Sequence, residues 1–191
     1  MKKSILAAAL LAAAAVPAHA DVVDYVELFG GVTQSPDLGS PPPSEFEMEP
    51  GYNVGGAFGW NFEQCFSAEL EFFFTDADFE GFDNSVESFT GMVNGFYHFQ
   101  DVGYSLRPYI GAGAGFAQVK FSDESLSVSD TDTVFAYQAM LGILHKVEEN
   151  VDLIVEYRYQ GANDANLDIG FGPFDQEYES HSLSAGFRFN L

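Results

Sequence analysis

The chain has 191 residues, with 29 Asp and Glu against seven Lys and Arg, a formal net charge of −22. Such acidity excludes nucleic-acid binding, which relies on cationic neutralisation of phosphates. With 16% aromatic and 47% hydrophobic residues the chain is far from a disordered composition and is expected to fold.

Residues 1–20, MKKSILAAALLAAAAVPAHA, set Lys2 and Lys3 before an apolar run from Ile5 to Val16 and a small-x-small site, Ala18-His19-Ala20. The pattern predicts a cleaved secretory signal peptide, with the mature chain starting at Asp21 and residues 21–191 forming one domain. Cys65 is the single cysteine, so no intramolecular disulfide stabilises the exported chain. A closed sheet in a membrane would supply the missing stability.

Beyond residue 20 the hydrophobic period is two rather than 3.6. Val26, Leu28 and Val32 alternate with Tyr25, Glu27 and Phe29. Tyr52, Val54, Phe58 and Trp60 alternate with Asn53, Gly55, Ala57 and Gly59. Third, Leu70, Phe72 and Phe74 stand against Glu69, Glu71 and Phe73, and fourth, Phe89, Val93, Tyr97 and Phe99 against Thr90, Asn94 and His98. In the fifth, PYIGAGAGFAQV, Gly111, Gly113 and Gly115 occupy one whole face. Glycine weakens a strand interior, so three in register mark either room for neighbouring side chains or an easing of curvature. Phe135, Tyr137, Leu141 and Ile143 then oppose Gln138 and Gly142, and Leu153, Val155, Tyr157 and Tyr159 oppose Asp152, Glu156 and Arg158. Last, Leu183, Phe187, Phe189 and Leu191 oppose Ser182, Ser184, Gly186 and Arg188.

The connections alternate in length. Residues 33–48, 76–87, 121–132 and 161–177 are long, and those around 62–65, 100–105 and 146–150 are short. Four long and three short connections predict eight strands, short turns on one rim and long loops on the other, as in an all-β, eight-stranded antiparallel up-and-down transmembrane β-barrel. The apolar faces end in aromatics such as Trp60, Tyr97, Tyr157 and Phe189, which suits a lipid-facing wall with interfacial girdles. The small and polar faces then fill a narrow lumen.

GYNVGGAFGW, RPYIGAGAGFA, FAYQAMLGI, VEYRY and SAGFRFNL resemble the small outer-membrane β-barrel proteins of Gram-negative bacteria, the OmpA-like and OmpX-like eight-stranded family, across the mature chain. The resemblance implies insertion in the outer membrane beside lipopolysaccharide. It also implies a terminal signal for the barrel-assembly machinery on Ser184, Gly186, Phe189 and Leu191, with leucine where the family ends in phenylalanine. No peptidoglycan-binding domain is expected, and roles in the family range from adhesion and serum resistance to none assigned.

Three candidate sites follow. Glu69, Glu71, Glu156, Arg158 and Arg188 are expected to form a paired lumen network, joined by His98 and Asn94, rather than a pore lining, since open channels need about 16–18 strands. His181 invites a hydrolase reading, but Leu183 lies two residues on while Ser182 and Ser184 have the opposite parity, so a rim residue is expected and no enzyme. The long-connection windows hold 16 of the 29 acids and no Lys or Arg. They read as a solvated anionic surface or as sites for divalent cations or an unidentified extracellular partner. Within them Asp76, Asp78, Glu80, Gly81 and Glu87 have the spacing of a calcium loop, the one place where weakly bound Ca2+ is conceivable; no other cofactor is implied.

Overall fold

The computed structural model describes residues 23–34, 50–62, 65–78, 84–100, 102–123, 128–162 and 178–191. The segment 1–20 that the sequence marks as a signal peptide, Glu80 and Gly81 lie outside them. Eight strands follow in order: β1 Tyr25–Gln34, β2 Gly51–Phe62, β3 Phe66–Asp78, β4 Asn84–His98, β5 Leu106–Asp123, β6 Val128–Glu148, β7 Val151–Ala162 and β8 Tyr178–Asn190. Each pairs antiparallel with the next, and β1 pairs with β8 to close the barrel. Closure gives the backbone N–H and C=O groups of the wall partners within the sheet, which a structure crossing hydrocarbon requires. No helix among the described residues is long and apolar enough to cross a membrane.

The period-two pattern decides which way each side chain points. Val93, Ile110, Leu141, Val155, Leu183 and Phe187 are exposed on the outer wall, whereas Glu69, Glu71, Asn94, Gln138, Glu156, Arg158 and Arg188 are buried inside. An apolar exterior around a polar, filled interior reverses the arrangement of a soluble barrel and matches a lipid-facing wall.

Two expectations are corrected. The β3–β4 ladder continues through Asp76↔Glu87, Ala77↔Val86 and Asp78↔Ser85, and the β5–β6 ladder through Ser122↔Ser129 and Asp123↔Val128. Residues 76–87 and 121–132 are therefore mostly strand, and the connections shrink to 79–83 and 124–127. These stretches lack the apolar alternation that marks a strand in sequence, so only the backbone pairing shows them as strand. β5 and β6, at 18 and 21 residues, are longer than the roughly 9–11 residues a crossing needs.

The lumen is also less uniformly polar than expected. Phe73, Met92, Ala117, Val134, Ala136 and Ala162 form one internal apolar cluster, and Phe96, Tyr109, Met140, Leu144 and Ile154 another. A lumen closed to bulk water accepts apolar filling wherever no charge needs a partner.

On the short-turn rim, the β4–β5 turn carries Gly103 at φ 103° beside Tyr104 at 54° and Ser105 at 58°. Three successive left-handed residues reverse the chain tightly, and the turn is tied by Val102 N–H to Leu106 C=O and Leu106 N–H to Gly103 C=O, at 2.9 and 3.1 Å. Between β6 and β7 the register shifts at Lys146/Glu148, a bulge beside the turn.

Candidate functional site

The strand parity brings the charged lumen residues into two groups. In the first, Arg158 of β7 donates through Nη2 to Glu71 Oε1 and, at 2.8 Å, to Glu156 Oε1. Glu71 Oε2 also accepts from Asn94 Nδ2 at 2.8 Å and Gln138 Nε2 at 2.7 Å, while Tyr109 Oη donates to Glu156 Oε2 at 2.9 Å. The guanidinium lies over the rings of Phe73 and Phe29, 4.8 and 5.2 Å from their centroids, a cation–π arrangement.

In the second group Arg188 of β8 donates through Nε to Glu27 Oε1 at 2.5 Å and through Nη2 to Glu69 Oε1 at 3.3 Å. Tyr25 Oη donates to the same Glu69 oxygen at 2.8 Å, and its ring lies 3.9 Å from the guanidinium carbon. Two guanidiniums thus face four carboxylates. Hydroxyl and amide donors from Tyr25, Asn94, Tyr109 and Gln138 serve further carboxylate lone pairs, as buried carboxylates demand.

All five expected network residues are brought together. Sequence reasoning left out Glu27, although its position between Val26 and Leu28 was the signal, and it left out Tyr25, Tyr109 and Gln138 as partners because aromatics and amides carry no charge to pair. Asn94 joins the network as expected. His98 instead shares a hydrogen bond of 2.8 Å between Nε2 and Ser67 Oγ, away from both arginines' hydrogen bonds. The cavity left among Glu27, Glu69, Glu71, Glu156, Arg158 and their neighbours measures about 10 Å³. That is about the size of one water.

The lumen glycines do make room, but chiefly for other residues than the long ions. A Cβ on Gly59 would strike the Tyr25 ring, one on Gly111 the Phe96 ring, one on Gly142 the Tyr109 ring and one on Gly113 the Asn94 amide. Aromatic rings are the widest objects in a tube this narrow, so they sit opposite the missing side chains. The charged groups are served indirectly, because Tyr25, Tyr109 and Asn94 are their hydrogen-bond partners.

Both ends of the calcium-loop spacing fall on strands, and its middle, with Glu80 and Gly81, lies outside the described residues. Asp76 and Asp78 stand on β3 and Glu87 opposite Asp76 on β4, and Asp76 Oδ2 accepts from Tyr52 Oη at 2.8 Å. Of the terminal motif, Ser184 points inward and donates to Asn53 Oδ1 at 3.0 Å, whereas Phe189 and Leu191 stand exposed outside. A Cβ on Gly186 would meet the backbone of Leu28 and Phe29, so glycine permits the β8–β1 seam to close. His181 stands on the outer wall, with Ser182 and Ser184 on the opposite face as the parity required, and its Nδ1 is 2.7 Å from Tyr157 Oη.

A closed eight-stranded antiparallel barrel with an apolar exterior and an ion-paired interior is a transmembrane barrel of the outer-membrane type. The chain belongs to the outer membrane protein beta-barrel domain family, whose model matches residues 5–190. It is 33% identical over 118 residues to outer membrane protein PagN of Salmonella typhimurium, covering 56% of this chain and 49% of PagN. To the 22 kDa outer membrane protein of Rhizobium leguminosarum it is 28% identical over 145 residues, 71% of this chain and 65% of that one. The chain thus spans between about half and two thirds of the length of these curated relatives. Among solved structures it resembles Neisserial surface protein A, with a TM-score of 0.63 at 18% identity over 87% of this chain and 96% of that one. It also resembles OprG of Pseudomonas aeruginosa, with 0.57 at 15% identity over 88% and 96%. At these identities the likeness to the solved structures is one of fold.

Proposed function

We propose that this protein is a non-enzymatic outer-membrane barrel whose work is structural or surface interaction of an adhesion type, carried out by its acidic outward loops. The observation that carries the reading is the occluded lumen: Arg158, Glu71, Glu156, Asn94 and Gln138 connect across it from β3, β4, β6 and β7, and the cavity left beside them is only water-sized. On this reading the lumen passes no sizeable solute, and the rims are the working surface. The connections 35–49, 79–83, 124–127 and 163–177 hold 11 of the 29 acids and no basic residue, which favours cationic surfaces and divalent ions as contacts. Membership of an outer-membrane family supports lipopolysaccharide and the barrel-assembly machinery as the partners met during insertion. Against an enzyme, the Nδ1 atom of His181 is hydrogen-bonded to Tyr157, and Ser182 and Ser184 face the lumen.

The reading is tested with refolded protein in a planar bilayer and with cells displaying the full chain. No stable single-channel steps are expected. Cells displaying a variant with Asp and Glu of residues 35–49 and 163–177 changed to amides are expected to attach less to one another and to epithelial layers. Sizeable conductance steps, or attachment unchanged by the amides, would overturn it.

A further inference from the structure

On the outer wall, where β7 and β8 leave the apolar band, Tyr157, Tyr159, His181 and Glu179 form a cluster that the loop-based function does not use. Tyr157 and His181 are joined edge to edge by their 2.7 Å Oη···Nδ1 hydrogen bond. Their ring planes lie within 27° of each other with centroids 6.0 Å apart. Two tethered aromatic rings with this small mutual inclination present adjoining ring surfaces, and both residues are exposed. Tyr159 stands beside it at 51° to the imidazole, 5.4 Å away, as a low wall. Its hydroxyl donates to Glu179 Oε1 at 2.7 Å, which fixes a carboxylate at the upper edge.

We infer that this hydrogen-bonded Tyr157–His181 pair, walled by Tyr159 and edged by Glu179, is a binding platform for the neutral sugar ring of a glycolipid in the surrounding leaflet. A pyranose presents an apolar C–H face that packs on aromatic rings, and its rim of hydroxyls needs acceptors and donors at the edge. Glu179 supplies an acceptor. In the tautomer that accepts from Tyr157 at Nδ1 the imidazole keeps Nε2–H as a donor, and in the other tautomer Nε2 is an acceptor, so either one meets a sugar hydroxyl. A bare phosphate fits poorly, because the outward positions of β7 and β8 at this height carry no Lys or Arg and Glu179 would repel it.

Height selects a lipid-anchored sugar over a free one. Below the cluster the outward residues are Val155 and Val151 on β7 and Leu183, Phe187 and Phe189 on β8, all suited to acyl chains. A crossing strand of about 9–11 residues counted from Val151 ends at Tyr159 to Gly161, so the platform lies at headgroup level. A sugar tethered by its own acyl chains is presented there at high effective concentration.

The test uses the full-length refolded barrel in phosphatidylcholine nanodiscs, with and without monoglucosyl diacylglycerol, and reads magnetisation transfer from the barrel's aromatic protons to the glucosyl protons. Transfer is expected with the native chain and is expected to fall about fivefold in Tyr157→Phe, which keeps the ring but frees it from His181, and at least as much in His181→Ala. Neither residue takes part in the lumen network, and folding of both variants is checked by compact migration of unheated samples. Transfer of equal strength in both folded variants would overturn the platform. Transfer to soluble methyl glucoside as strong as to the glycolipid would overturn the assignment to a membrane-anchored sugar.

Discussion

Arg158 is held by two carboxylates and two aromatic faces, and its removal shows what that arrangement is worth. Arg158→Met is expected to cost about 3–5 kcal/mol, because it leaves the buried Glu71 and Glu156 carboxylates without their cationic partner. Adding Glu71→Gln to that variant should recover part of the loss. Urea titrations of the barrel in micelles, followed by tryptophan fluorescence, measure both. Tyr109→Phe takes a single hydroxyl from Glu156 and is expected to cost about 1–3 kcal/mol. The glycines divide in the same physical way. Gly113→Val drives a side chain into the Asn94 amide and should lower stability and refolding yield, while Gly95→Ala meets nothing within 4 Å and should be neutral in the same titration.

At the scale of the element, each strand carries two solvents on its two faces. Val155 and Glu156 are neighbours in β7, yet one faces lipid and the other pairs with Arg158. Val155→Arg places a charge near the middle of the hydrocarbon band and is expected to cost about 2–4 kcal/mol in liposome refolding titrations. A spin label at the same position should report lipid rather than water, and water contact would show that the wall faces the other way. The strands also differ in reach, since β5 and β6 run well beyond the length a crossing uses whereas β1, β7 and β8 end near the rim.

For the whole molecule, closure between β1 and β8 joins the first and last strands into one cooperative wall. Unheated protein in detergent is expected to migrate as a compact species distinct from the boiled chain, and to fractionate with outer membranes. Recovery of the chain as a soluble periplasmic monomer would contradict the exposed apolar belt. Four carboxylates balanced against two guanidiniums, with neutral donors making up the remaining contacts, also predict that the lumen stays sealed at moderate salt. Partly buried pairs are screened far less than surface ones.

The sequence by itself determined the strand count, the alternation of faces and the inward placement of Glu69, Glu71, Glu156, Arg158 and Arg188, because a period of two is a local property of the backbone. It also placed His181 and the terminal serines on opposite faces for the same reason. What only the tertiary structure decided was which residues meet across the barrel. Glu27 and Arg188 are 161 positions apart and share a hydrogen bond because β1 closes on β8; Gln138 reaches Glu71 because the tube is narrow. The rings filling the space above Gly59, Gly111 and Gly142, the extension of the β3–β4 and β5–β6 ladders to Asp78↔Ser85 and Asp123↔Val128, and the pairing of Tyr157 with His181 have the same origin. Register and closure are long-range properties, and no window of sequence contains the two strands that set them.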